Sequence, residues 1–290
     1  MRLDDDDRSN VEDRRGSGPL GGSGIRLGLG GTLVVLVLSV VFRQDLFSVI
    51  GAGGAPVAAP TSPAQVERRE RAEADLERVA VASFNDAQKT WATELTRRSA
   101  SYPPARLVLF WDETRSGCGD APAAMGPFYC PVDQKVYIDL GFYRELARRF
   151  HAAGAFAQAY VIAHEVGHHV QSVIGVEKKV RAAQRRDPRA QNALSVRLEL
   201  QADCLAGVWA RSAEQRQLLD PGDLDAALDA AAAVGDDRIQ KQTTGSVHPE
   251  SFTHGTAAQR SQWFRRGFDE GKLEACDTFS SPERRAAPRD

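Results

Sequence analysis

The sequence predicts an α+β fold, mainly helical with a small β-sheet, preceded by one transmembrane helix. Three observations predict it. Long Pro-free stretches repeat apolar residues at helical spacing. Strand-like runs are few and short, at Arg106–Trp111 and at 135–139. Near the N-terminus, residues 25–42 form an apolar run, IRLGLGGTLVVLVLSVVF, whose single charge, Arg26, sits at its edge.

The elements follow in chain order. Residues 1–24 are polar, with an acid run from Asp4 to Asp7 and a Gly/Ser-rich stretch at 16–24, so they read as a disordered tail. The 25–42 run falls within the ~17–25 residues of a membrane-spanning helix. A cleaved signal peptide is the competing reading, but the long acidic tail ahead of the run favours an uncleaved anchor. Arg8, Arg14, Arg15 and Arg26 precede the run and only Arg43 closely follows it. The positive-inside rule then puts the N-terminus in the cytoplasm and residues 43–290 in the periplasm or outside the cell. Residues 43–63 form a linker, Gly/Ala/Pro-rich from 51.

Residues 64–280 are long enough for one full core. A charged helix at Gln65–Arg98 opens this domain, followed by the 106–111 strand, a Cys-bearing loop and the 135–139 strand. Helices are then expected at about 142–150, through 155–173, at 194–210, in the Ala-rich 223–234 stretch and at 256–270. Residues 281–290 read as a flexible tail.

The chemistry centres on His164-Glu165-Val166-Gly167-His168, an H-E-x-x-H motif within a helical pattern. At ~100° per residue, His168 lies ~40° from His164, on one face. Ala159, Ile162, Val166, Val170 and Val173 fall on the opposite side as an apolar stripe. The helix therefore packs its back into a core and turns two imidazoles toward a cleft, where they can grip one Zn²⁺. Gly167 costs ~1 kcal/mol relative to Ala in a helix interior, so another backbone or a substrate is expected to approach it closely. His169 points toward the packed side and reads as structural.

A catalytic zinc site needs a third protein ligand and an open position. Glu199 and Asp203, four apart on a helix, face one way. Glu199 is the expected third ligand. Asp203 is the expected partner of a ligand imidazole, fixing its tautomer. His151, His248 and His254 are weaker candidates for the third ligand.

HEVGHHVQ, RLELQADCLAGVWA, HPESFTHGTAAQR, GPFYCPVDQKVYIDLGFY and the opening MRLDDDDRSNVEDRRG together resemble the neutral zinc metallopeptidase family of bacterial single-pass membrane proteins. The resemblance spans nearly the whole chain. It implies a zincin-like domain of the gluzincin type, HExxH followed by ExxxD, with His164, His168 and Glu199 holding one zinc per chain. Thr253-His254-Gly255 with Arg260 is similar to the Thr-His…Arg stretch of membrane-associated gluzincins, which implies that His254 and Arg260 stabilise the oxyanion. Those relatives usually carry Pro where this chain has Gly255. The alternatives are a helix-start role for His254, capped by Thr253, and a structural ion pair for Arg260.

The chemistry expected is peptide-bond hydrolysis, with Glu165 as general base on a zinc-activated water and His254 as oxyanion donor. A peptide or protein substrate would lie extended along a strand, either 135–139 or 126–129. The alternative function is a membrane-tethered interaction module whose zinc is structural or inactive. The four cysteines suggest two disulfides in an exported domain. Cys118 and Cys130 flank one loop, which leaves Cys204 with Cys276. The net charge is -2 with both signs scattered, and no basic patch with interleaved aromatics occurs, so nucleic acid is not an expected partner. The sequence leaves the oligomeric state open.

Overall fold

The computed structural model describes residues 1–16, 62–150 and 154–280. Strand β1 (Val11–Asp13) comes first, then helix α1 (Pro63–Thr96). Pro63 opens α1, where its missing N–H costs nothing, and the Gln65 side chain accepts the Ser62 N–H at 3.2 Å. The first turns of α1 are largely exposed, carrying pairs such as Arg71–Glu67 at 2.8 Å. From Ala80 onward, Phe84, Ala87, Trp91 and Leu95 recur at three- and four-residue steps and are fully buried.

Next come β2 (Arg106–Phe110), a hairpin of β3 (Glu113–Ser116) and β4 (Gly119–Pro122), and β5 (Phe128–Cys130) and β6 (Lys135–Asp139). The main sheet has the order β1-β2-β6-β5. β2 pairs in parallel with both β1 and β6, in the register Val11↔Leu107↔Val136, while β5 is antiparallel to β6. Leu107, Val108, Leu109 and Phe110 are all buried, as expected for a strand covered on both faces.

The remaining helices are α2 (Gly141–Phe150), α3 (Ala155–Val173), α4 (Val176–Arg186), α5 (Gln191–Gln215), α6 (Asp223–Ala233), α7 (Asp236–Thr243) and α8 (Ala257–Glu270). α3 lies at the centre, packed against α1, α5 and α6, and α8 lies along α5. The α5–α8 contact is backbone to backbone. A Cβ on Gly267 would sit 1.9 Å from the Cys204 carbonyl oxygen, and one on Gly207 would sit 2.1 Å from the Phe264 carbonyl oxygen. Gly267→Ala is therefore expected to destabilise the fold by about 3 kcal/mol, the upper end for overpacking, measured as a lower urea midpoint. Disulfides join Cys118 to Cys130 and Cys204 to Cys276, the expected pairing.

The N-terminal expectation needs correction. Residues 1–16 are not a disordered tail. Val11–Asp13 extend the main sheet, and the flanking charges have partners. The Met1 ammonium sits 2.5 Å from Asp220 and 2.9 Å from Asp223. Asp5 pairs with Lys89. Glu12 bonds Lys135 at 2.7 Å, and buried Arg15 bonds Asp13 and Glu77, each at 2.6 Å. Composition misreads this stretch because the charges are satisfied by residues far along the chain. The expected 25–42 span, most of the 43–63 linker and the 281–290 tail lie outside the described residues. Among those described, no helix is long and apolar enough to cross a membrane.

Candidate metal centre

α3 buries Ala159, Ile162, Val166 and Val170 completely, and its other face carries His164 and His168. Gly167 makes the site possible. A Cβ there would lie 3.0 Å from the Ala202 carbonyl oxygen and 3.3 Å from its Cα, so α3 and α5 meet backbone to backbone. That contact brings Glu199 and Asp203, one turn apart on α5, against the two imidazoles.

Nε2 of His164 is 3.2 Å from Glu199 Oε2, and Nε2 of His168 is 3.5 Å from Glu199 Oε1. One ligand atom from each of the three residues lies within 4.8 Å of the others. Zn–N and Zn–O bonds of ~2.0–2.1 Å in a tetrahedron put ligand atoms ~3.3 Å apart, so this donor set fits zinc. The other ring nitrogens are spoken for. His164 Nδ1 is 2.8 Å from Asp203 Oδ1, and His168 Nδ1 is 2.8 Å from Gln171 Oε1. With a metal bound, Nδ1–H donation to Asp203 and Gln171 would leave both Nε2 atoms, which face Glu199, free to ligate it.

These supports are held in turn. Asp203 is fully buried and accepts from Tyr160 Oη at 2.5 Å and from Arg260 Nε and Nη2 at 2.8 and 2.9 Å. Arg260 also donates to the Val234 carbonyl at 3.1 Å. The structure thus places Arg260 in a buried ion pair with Asp203, its Nη2 3.3 Å from His164 Nδ1. Gln171 donates to the Leu198 carbonyl at 2.7 Å and to Gln201 Oε1 at 3.1 Å. Sequence reasoning missed Gln171, although its position three residues after His168 puts it within reach on the same face. His169 is fully buried, 2.7 Å from the Pro103 carbonyl and 3.0 Å from Tyr129 Oη, away from the ligand set.

His254 precedes α8 rather than starting it; the helix N-cap is Thr256, whose side chain accepts the Gln259 N–H at 3.1 Å. Asp236, at the start of α7, holds the His254 loop. Its Oδ2 accepts the N–H groups of Thr253, His254 and Gly255 at 2.7, 2.7 and 3.0 Å, and its Oδ1 lies 3.1 Å from His254 Nδ1. Gly255 has φ +93°, and a Cβ there would lie 3.2 Å from Val196 and 3.4 Å from Leu200, which flank Glu199 on α5. Proline can neither adopt that angle nor supply the N–H that Asp236 accepts, so the departure from Pro is built into this loop. Sequence reasoning missed Asp236 because nothing in G-D-D-R shows which distant loop it meets.

The electrostatics follow from these contacts. Burial opposes charge on His164, but Asp203 and Glu199 outweigh it and raise its pKa to about 10. Burial likewise opposes charge on Glu199, yet the two imidazoles hold its pKa well below the ordinary value. His254 lies near enough to contribute to that lowering, and its own pKa is raised, Asp236 and Glu199 overcoming desolvation. Burial pushes Glu165 upward. Of the two stretches expected to bind substrate, 135–139 is β6, and 126–129 only overlaps β5, whose strand is Phe128–Cys130. β6 (135–139) is paired on both sides, so it has no free edge for a peptide, whereas β5 lies at the end of the main sheet and packs against α3.

HExxH on α3 and Glu199 on α5, two helices later, form a His₂Glu set that could hold a metal ion. The comparison with known families agrees. The family described as "Putative neutral zinc metallopeptidase" matches residues 1–279, and the chain belongs to it. The chain is similar to the uncharacterized protein YpfJ of Escherichia coli (strain K12), 48% identical over 278 residues, covering 93% of this chain and 95% of that one. It is also similar to the uncharacterized protein Rv2575 of Mycobacterium tuberculosis (strain H37Rv), 44% identical over 216 residues, 70% of each chain. No solved structure matches it.

Proposed function

We propose that this chain is a zinc-dependent peptidase acting on peptide bonds, with His164, His168 and Glu199 as ligands of one zinc and Glu165 as general base. The observation that carries the reading is the convergence of those three ligand atoms beside a Glu that is not needed to complete the set. A purely structural site has no use for Glu165. Held by these three residues, zinc would supply a water of pKa lowered toward ~7 and a Lewis acid for the scissile carbonyl. Glu165 takes the water proton and returns one to the leaving amine. His254, its Nδ1 turned to Asp236, offers Nε2–H to the developing oxyanion. The substrate backbone adds to the β5 edge. Two disulfides suit an oxidising compartment outside the cytoplasm, and the 25–42 run is the proposed contact with the cell membrane.

The test uses the full chain, since residues 1–16 complete the sheet. Purified protein is expected to carry one zinc per chain and to cleave casein. A chelator should abolish cleavage and added zinc should restore it. Tightly held zinc without cleavage of any peptide would favour the interaction module instead. Asp236→Asn separates the role of His254 from that of the metal. It should lower kcat about tenfold, less than the ~10²–10³-fold lost with an oxyanion donor itself because His254 is kept and only its support is removed, with zinc content unchanged, read by steady-state kinetics and metal analysis.

A further inference from the structure

We infer that residues 1–16 lie on the same side of the membrane as the metal centre, so that the apolar run at 25–42 does not carry the chain across the bilayer once. This inference does not depend on the zinc reading. It rests on how residues 1–16 are bound. Parallel strands sit ~4.8 Å apart, whereas the hydrocarbon layer is ~30 Å thick, so paired strands share one compartment. β1 is such a strand. The Leu107 N–H donates to the Asn10 carbonyl at 2.9 Å, and the Arg14 N–H donates to the Leu109 carbonyl at 2.8 Å. Beyond the strand, Asn85 Nδ2 donates to the Asp7 carbonyl at 2.8 Å, and the Arg2 N–H donates to the Leu218 carbonyl at 2.7 Å. The segment thus touches α1, β2 and the loop after α5.

The exit and re-entry points also meet. A Cβ on Gly16 would lie 2.8 Å from Val66 Cγ1. Gly16 and the start of α1, which flank the 25–42 run in the sequence, therefore lie side by side. A run whose two flanks lie on one side of a bilayer crosses it an even number of times or not at all. The charge bias that suggests a cytoplasmic N-terminus has another explanation. Arg8 pairs with Glu77, Arg14 with Glu12 at 2.8 Å, and Arg15 with Asp13 and Glu77 at 2.6 Å. Three of the four arginines counted ahead of the run are therefore committed to the fold, where they serve β1 rather than orientation.

The four native cysteines are all paired, so one added cysteine gives a single reactive thiol. Ser9 and Lys178 are both exposed, one in the N-terminal segment and one on α4. S9C and K178C are made separately in the full chain, and cells are treated with a membrane-impermeant maleimide. Labelling is expressed as a fraction of that in denatured lysate. The two fractions are expected to be equal, whichever side of the membrane both occupy. K178C labelled in intact cells with S9C labelled only after lysis, or the reverse, would overturn the inference and restore a single crossing.

Discussion

Glu165→Gln is expected to lower kcat about 10²–10⁴-fold while leaving zinc content and the urea midpoint essentially unchanged. Glu165 follows His164 on α3 and is buried, but none of its atoms is in the set of three converging ligand atoms. Gln keeps the shape and removes only the ability to take a proton, so the loss expected is that of one general base. Burial raises the Glu165 pKa, so the native carboxylate is held at some cost that Gln does not incur. Stability should therefore not fall. The measurement is steady-state peptide cleavage beside zinc analysis of the same sample. A variant with wild-type kcat would remove Glu165 from the mechanism. A variant that loses its zinc would mean that Glu165 is a ligand, and that Glu199 needs reassignment.

The site was legible in the sequence to the extent that helical spacing carries it. His164 and His168, and Glu199 and Asp203, are each four apart, and that spacing alone puts each pair on one face. Gly167 was legible as a place of close approach, which is where Ala202 of α5 meets it. What stayed hidden depends on tertiary contacts with no local signature. Asp236 is one acid among two at a helix start, and its role exists only because the Gly235 backbone abuts Ala257, bringing the start of α7 under the His254 loop. β1 is three residues long and finds its partner more than ninety positions away. The 135–139 strand has the right composition for a substrate-binding strand, but its place inside the sheet removes the free edge. Arg260 was readable as either an oxyanion group or an ion pair, and only the position of α8 against α5 brings it to Asp203.

That pair makes Arg260→Met the other large effect. The Arg260 side chain is 4% exposed and that of Asp203 is 0% exposed. Removing the guanidinium leaves a buried carboxylate whose pKa is low because Arg260 and His164 overcome its desolvation. An orphaned buried charge of this kind costs about 3–5 kcal/mol, so the urea midpoint should fall steeply. The damage also reaches the metal. Asp203 accepts from His164 Nδ1, and without Arg260 it is held less firmly and binds a proton more readily. His164 then loses the contact that fixes its tautomer, and zinc affinity should fall about 10–100-fold in a chelator competition. The double variant Arg260→Met/Asp203→Leu removes both charges and should recover much of the stability, since an apolar replacement of a buried pair is often neutral. It should not recover zinc affinity, because the partner of His164 is still missing. An Arg260 acting on the oxyanion would behave differently, lowering kcat with stability and zinc affinity intact, and that result would move Arg260 from behind His164 to the substrate side.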